Sequence, residues 1–345
     1  MPDPTRVLVT GGSGFVAGHL IARLLADGHL VRTTIRNINR ENGIRSALAA
    51  AGVDVDRLDV VVADLDSDDG WAEAVDECTY VQHVASPFPP RQPDNEDDII
   101  VPARDGTLRV LRAAAAASVR RVVVTSSFAA IGYTPKPSGA PFDESDWTDA
   151  SGAVSPYVKS KTLAERAAWE FAAQPGSPEL AVVNPVGVFG PLLDGNASTS
   201  VRIIDGLLHG QPPLLPRASF AVVDVRDVAD LLVRAMVSPQ AAGQRYLAAA
   251  GQPVTFPEIA AVLRDRLGAA AASVPRRDVP DWLVRAAARL IPSLRELSGL
   301  LGPPKAVDTT KAVTQLGWRP RSAADAVTAT AESLLRRRAI AADRR

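Results

Sequence analysis

Arg6-Val7-Leu8-Val9-Thr10-Gly11-Gly12-Ser13-Gly14-Phe15-Val16-Ala17-Gly18 is the stretch that decides the fold. Its first five residues are a β-rich apolar run that stops at glycines. Leu20, Ile21, Leu24 and Leu25 then recur with helical period until Asp27-Gly28-His29 ends the pattern. A strand, a glycine-rich turn and a helix, in that order, give glycines their meaning as a dinucleotide site. Gly11 is placed for the tight turn. Gly14, lacking a Cβ, lets a pyrophosphate reach backbone N–H groups at the positive end of the helix.

Downstream the alternation continues. Leu30-Val31-Arg32-Thr33-Thr34-Ile35 reads as a second strand ending at Arg36. In dinucleotide folds an acid at this position holds the ribose 2′-OH of NAD, whereas arginine accommodates the 2′-phosphate of NADP. Arg36 stands there, Arg40 follows, and no acid occurs before Glu41, so NADP is favoured. The alternative is that Arg36 is one of many surface arginines. Asp59 to Ala63 is a third strand ending in Asp64-Leu65, where a carboxylate can meet the adenine edge. A short helix spans Gly70 to Val75, and Tyr80 to Val84 is a fourth strand ending in Ala85-Ser86-Pro87. His83 is expected to pack beneath a cofactor rather than to act as acid or base. Ile99 to Ala117 reads as a long helix and Arg121 to Ser127 as a fifth strand. This order predicts an α/β fold, a Rossmann-type doubly wound parallel sheet with ligands at the carboxyl ends of its strands.

Ser155-Pro156-Tyr157-Val158-Lys159-Ser160-Lys161 opens an Ala/Glu/Arg-rich run that reads as a helix. Positions i and i+4 share a helical face, so the Tyr157 phenol and the Lys161 ammonium sit side by side. A phenol titrates at about pH 10, too high for easy proton transfer at neutrality, and a fixed cation beside it favours the phenolate. Taken alone, the pair reads equally well as two polar residues on an exposed helix.

With 345 residues, 46% hydrophobic and 22% charged, the chain has an ordinary globular composition. Its formal charge of −1 gives no reason to expect nucleic acid or an anionic membrane as partner. One cysteine, Cys78, excludes an internal disulfide, and four scattered histidines show no ligand spacing, so no metal is expected. No secretory signal is visible and no apolar run is long enough to span a bilayer, so the protein is expected to be cytoplasmic.

After the strand Ala181-Val182-Val183 the regular alternation weakens. Helices are expected over Thr199 to Leu208, Arg226 to Met236, Thr255 to Leu267, Val279 to Ile291 and Ala323 to Arg338, with a short strand at Phe220 to Val225. The expected division is a nucleotide domain over 1–185, carrying the Tyr157 helix, and a smaller, mainly helical substrate lobe over 186–345, with some interleaving of segments. The Arg336-Arg337-Arg338 cluster and Arg344-Arg345 read as a solvated tail.

Taken in order, these motifs resemble an extended short-chain dehydrogenase/reductase. Within that superfamily the chain is similar to the NADPH-dependent dihydroflavonol-4-reductase, cinnamoyl-CoA reductase and aldehyde reductase group. The matching stretches are Val9 to Val16, Val31 to Arg36, Asp64-Leu65, His83 to Pro87, Val124 to Ser127, Asp143 to Trp147, Tyr157 to Ala164, Asn184 to Pro191 and Leu316 to Pro320. The resemblance implies a catalytic set of Ser127, Tyr157 and Lys161. It also implies an NADP site lined by Gly11, Gly12, Ser13, Gly14, Phe15, Val16, Arg36, Arg40, Asp64, Leu65, Val84, Ala85, Ser86, Pro185, Val186, Gly187 and Val188, together with Tyr157 and Lys161. Ala17 replaces the third glycine of the family motif, and no catalytic Asn is assigned.

The implied reaction is reversible hydride transfer between NADPH and a carbonyl or alcohol. Tyr157 protonates the oxygen, Ser127 hydrogen-bonds it, and Lys161 keeps the phenol acidic and binds the nicotinamide ribose. Phe88, Ile131, Tyr133, Leu192 and Phe220 are expected to wall an apolar pocket for a ketone or aldehyde. A nucleotide-sugar epimerase or dehydratase is the alternative on the same fold, but Phe128-Ala129-Ala130 after Ser127 lacks the acid/base pair that dehydration needs. A non-catalytic NADP sensor is the other alternative, and it would not require the Tyr/Lys pair. The expected assembly is a monomer or homodimer.

Overall fold

The computed structural model describes residues 5–87, 95–136, 139–193, 199–289, 291 and 299–343. Seven strands form the main sheet: β1 (Arg6–Val9), β2 (Leu30–Ile35), β3 (Leu58–Val62), β4 (Tyr80–His83), β5 (Arg121–Thr125), β6 (Glu179–Pro185) and β11 (Gln244–Ala248). Their order is β11-β6-β5-β4-β1-β2-β3, and every adjacent pair is parallel. The strand order reverses between β1 and β4. Ligands of open α/β sheets bind in the crevice outside such a reversal, at the carboxyl ends of the strands.

These strands read as continuous apolar runs because both faces of the sheet are covered. Val7, Val9, Val31, Val123, Ala181 and Val183 point into one core with α1 (Phe15–Ala26) and α7 (Val225–Val237). Leu8, Val81, Val122, Val124, Leu180 and Val182 point into the other. That second core is shared with α3 (Trp71–Val75), α4 (Asp97–Ala116) and α5 (Pro156–Ala172). The alternation is the period-2 pleat of a strand. Ala17, in the place of the third motif glycine, is fully buried in the first core, so its single methyl is accommodated there.

Two later segments join this unit. α7 packs across α1, and β11 adds the edge strand beside β6. Trp318, fully buried, donates its indole N–H to the Asp227 carbonyl on α7 at 2.9 Å, which ties the Leu316 to Pro320 motif to the same core. The helix α2 (Glu41–Ala50) is a further element beyond the expected set, and it buries only Ile44 and Leu48.

The remaining chain builds the lobe. It holds β7 (Gly187–Phe189), α6 (Thr199–Leu208), β8 (Leu215–Pro216), β9 (Ser219–Phe220), β10 (Val222–Asp224), β12 (Val254–Thr255) and α8 (Phe256–Leu267). β13 (Asp278–Val279), α9 (Asp281–Ala288) and α11 (Ala323–Asp343) complete it, whereas α10 (Thr310–Leu316) packs on β11 and α7, with Ala312 and Leu316 in the first core of the sheet. Its strands pair only in twos, β10 with β7, β12 with β9 and β13 with β8. Phe189, Ile204, Leu207, Phe256, Leu263 and Val327 are among the residues of its separate apolar core. No helix among the described residues is long and apolar enough to cross a membrane. Residues 1–4, Phe88 with the rest of 88–94, 194–198 and the terminal Arg344-Arg345 lie outside the described residues.

Candidate active site

Seven groups of sequence-predicted residues arrive at the carboxyl edge of the one sheet. Gly11 to Val16 leave β1, Arg36 follows β2, Asp64 and Leu65 follow β3, and Val84, Ala85 and Ser86 follow β4. Ser127 follows β5, Pro185 ends β6, and Val186, Gly187 and Val188 lead into β7. Tyr157 and Lys161 stand in the first turns of α5.

The turn after β1 shows why it is built of glycine. Gly11 has φ of 73°, a left-handed conformation that side chains disfavour, and a Cβ there would meet that of Ala85 at 3.0 Å. Gly12 is buried, and a Cβ would strike the Thr33 hydroxyl at 2.3 Å, so this glycine serves packing against β2. Gly14 is exposed and caps α1, where the first backbone N–H groups of the helix face outward for an anion. The β1 and β4 ends are fastened by Thr10, whose hydroxyl accepts from Val84 N at 3.0 Å and Ala85 N at 2.9 Å. Arg36 and Arg40 are exposed at the β2 end, and among the described residues neither is paired with a carboxylate. Both guanidinium groups are therefore free for a phosphate. Asp64 turns its carboxylate back to the Asp66 N–H at 3.2 Å, and Leu65 packs against the backbone side of Gly106 on α4. The donor set fits a phosphorylated dinucleotide: an outward helix start, a close-packed glycine turn and two unpaired arginines.

His83 is buried between two hydroxyls, with Nδ1 3.0 Å from Thr10 and Nε2 3.3 Å from Thr107. Thr10 already accepts two backbone N–H groups and so donates to Nδ1. Thr107 donates to the Ala103 carbonyl at 2.8 Å and so accepts from Nε2–H. This arrangement suits one neutral tautomer. Burial, with the charge of Lys161, pushes the imidazole down to about 3.

Ser155 and Pro156 start α5 as N-cap and first helical residue, with the Ser155 hydroxyl accepting from Val158 N at 3.4 Å. That start sets the phase of the helix, so Tyr157, Lys161, Glu165 and Ala168 share the face turned to the sheet. Tyr157 is hydrogen-bonded to Ser127. The Ser127 backbone is held by Asn184, whose amide donates to the Ser127 carbonyl at 3.2 Å. Lys161 Nζ lies 5.9 Å from the centroid of the Tyr157 ring.

The electrostatics differ from the sequence expectation. Burial pushes the Tyr157 phenol above its ordinary value, and the Ser127 hydrogen bond acts in the opposite direction. Lys161 is itself desolvated and pushed down to about 8, with Glu165 acting to raise it. Ile131 also departs from expectation. It is fully buried with Phe142, Leu247 and Val307 and cannot wall a pocket. Tyr133 is 36% exposed, and Lys305 Nζ sits 3.8 Å from its ring centroid. Phe220 is half-buried, stacked on Phe189 with ring centroids 6.0 Å apart. Sequence reading missed Thr10, Glu165 and Arg245; Glu165 carried a signal in its spacing, two turns after Tyr157 on the same face. Among the described residues no group of three His, Cys, Asp or Glu can hold a metal ion.

Residues 7–249 match the model of the NAD dependent epimerase/dehydratase family. The chain is 36% identical over 265 residues to cinnamoyl-CoA reductase CAD2 of Medicago truncatula, covering 75% of this chain and 80% of that protein. It is 33% identical over 287 residues to the dihydroflavonol 4-reductase of Zea mays, covering 80% and 76%. Among solved structures it resembles the yeast methylglyoxal/isovaleraldehyde reductase Gre2 complexed with NADPH, with a TM-score of 0.78, 25% identity and coverage of 97% and 99%. The chain belongs to the NAD dependent epimerase/dehydratase family, the extended short-chain dehydrogenases/reductases.

Proposed function

We propose that this family member is an NADPH-dependent oxidoreductase that reduces a ketone or aldehyde to an alcohol, with Tyr157 as the proton donor. The observation that carries this reading is the Tyr157–Ser127 hydrogen bond with Lys161 one turn further along the helix, at the carboxyl edge of the sheet beside the β1/β4 reversal. When bound, the nicotinamide supplies hydride to the carbonyl carbon. Gly11 to Val16 and the start of α1 would hold the pyrophosphate, and Arg36 with Arg40 the 2′-phosphate. The Ser127 and Tyr157 hydroxyls are hydrogen-bonded neighbours, so a carbonyl oxygen placed beside both would receive a hydrogen bond from each as charge develops on it. Tyr157 then gives its proton to that oxygen, and Lys161 stabilises the phenolate left behind. Charge on Lys161 matters here, since a buried phenol resists ionisation unless a cation is close.

For the substrate we infer an apolar or aromatic carbonyl compound, walled by Tyr133, Leu192 and Phe220. Among the described residues one cation, Lys305, stands against the Tyr133 ring. The relatives are reductases of cinnamoyl-CoA, dihydroflavonol, methylglyoxal and isovaleraldehyde, which supports carbonyl reduction as the reaction class. Oxidation of NADPH and NADH, followed against a panel of aryl ketones, aldehydes and dihydroflavonols, tests the reading. Turnover with NADPH and at least one carbonyl is expected. Tight NADPH binding without any turnover would favour a sensor, and conversion of a nucleotide sugar without net NADPH loss would favour an epimerase.

A further inference from the structure

We infer that Glu165 is a positioning residue for Lys161: a buried carboxylate one helical turn away that keeps the catalytic ammonium charged in the cleft. The inference rests on the proposed role of Lys161 beside Tyr157. Glu165 is fully withdrawn from solvent and its two oxygens are fixed from four directions. Oε2 accepts from Ser126 Oγ at 2.5 Å and Asn184 Nδ2 at 2.7 Å. Oε1 accepts from Arg245 Nε at 2.6 Å and Trp169 Nε1 at 3.4 Å. Four donors, one of them the Arg245 guanidinium, thus converge on this one carboxylate.

A structural role alone would explain part of this. Arg245 on β11 also donates to the carbonyls of Glu144 and Asp146 at 2.9 Å and lies 3.8 Å from the Trp147 ring centroid. Glu165 thus bolts the catalytic helix to β11 and to the 144–147 segment. The placement of Lys161 goes beyond that role. Lys161 and Glu165 line the same cavity of about 20 Å³, with His83, Thr107, Thr125 and Ser126 among its other walls. Among the described residues, the titratable groups facing Lys161 are Tyr157 on its own helix, His83 on β4, held neutral by Thr10 and Thr107, and the Glu165 carboxylate. Arg245 is held on Oε1 of Glu165. Desolvation pushes Lys161 down to about 8, and the Glu165 carboxylate acts in the opposite direction.

The test reads Lys161 directly in the cofactor-free full chain. Labelled lysine gives few signals to resolve, because the chain has five lysines, and Lys161→Arg assigns the relevant one. An NMR titration of wild type, Glu165→Gln and the double variant Glu165→Gln/Arg245→Met separates the roles. The single variant leaves Arg245 buried without its carboxylate and can fail to fold; the double variant removes both charges and keeps the net charge. A Lys161 titration about one pH unit lower than wild type is expected in the double variant, and in the single one if it folds. The alkaline limb of kcat for carbonyl reduction should move down by the same interval. An unchanged Lys161 titration in the folded double variant would overturn the inference and leave Glu165 a purely structural bolt. Absence of carbonyl reduction by the wild type would sink the proposed function instead, and the titration would still decide this point.

Discussion

The seven-stranded sheet and the C-terminal lobe differ in how firmly they hold what they present. The glycine turn, Arg36, Ala85, Ser127, Tyr157 and Lys161 stand at strand ends of the sheet, or on α5 packed against it, with strand residues buried on both faces. The lobe instead pairs its strands in twos, each two or three residues long. Phe220, assigned to the substrate wall, sits in one of these ribbons. Hydride and proton transfer need reacting atoms fixed within fractions of an ångström, which a continuous two-sided core provides. A wall that selects among apolar substrates needs only shape, and small ribbons can change shape without disturbing the sheet.

That contrast can be broken in three places. At the β2 end, Arg36→Ala should lower kcat/KM with NADPH about a hundredfold while leaving that with NADH unchanged, since a charge-assisted contact to phosphate is worth about 1.5–3 kcal/mol. Equal losses with both cofactors would remove Arg36 from the 2′-phosphate site. Beneath the site, His83 is neutral down to about 3 in the folded chain, whereas its ordinary value is 6.5. Between these values the unfolded chain takes up a proton that the folded chain refuses. Stability therefore falls as pH falls through this window, by about 1.4 kcal/mol per pH unit from this group. Denaturant melts of His83→Gln across the window should show that slope removed, even if the variant is weaker near neutrality. In the lobe, Phe220→Leu should change KM for the carbonyl substrate only about threefold to tenfold and leave NADPH affinity intact, the scale expected for reshaping a hydrophobic pocket. A large loss of NADPH binding would mean that the lobe supports the sheet site after all.

The same contrast explains what could be read from the sequence. β1 to β6 were legible because burial on both faces makes parallel strands continuous apolar runs, and the glycine turn and Ser155-Pro156 mark their neighbours by local chemistry. β11 was not legible. Its sequence, Gln244-Arg245-Tyr246-Leu247-Ala248, carries an arginine at the second position, and only the tertiary pairing with Glu165 and Trp147 makes that charge a buried one. Ile131 shows the converse: an apolar residue next to a predicted site reads as pocket wall, and only packing against Phe142 and Val307 reveals it as core. The charge balance at Tyr157 was out of reach for a similar reason, because the desolvation that raises the phenol and lowers Lys161 depends on the folded surroundings.

Single-turnover NADPH oxidation by wild type and Tyr157→Phe, at equal cofactor occupancy and saturating carbonyl substrate, tests the proton-donor role most directly. The variant keeps the ring and removes only the hydroxyl that meets Ser127. A loss of at least about a thousandfold in the hydride-transfer rate, with NADPH affinity within about threefold of wild type, is expected. A Tyr157→Phe enzyme that still reduces its substrate within about tenfold of the wild-type rate would contradict Tyr157 as the acid.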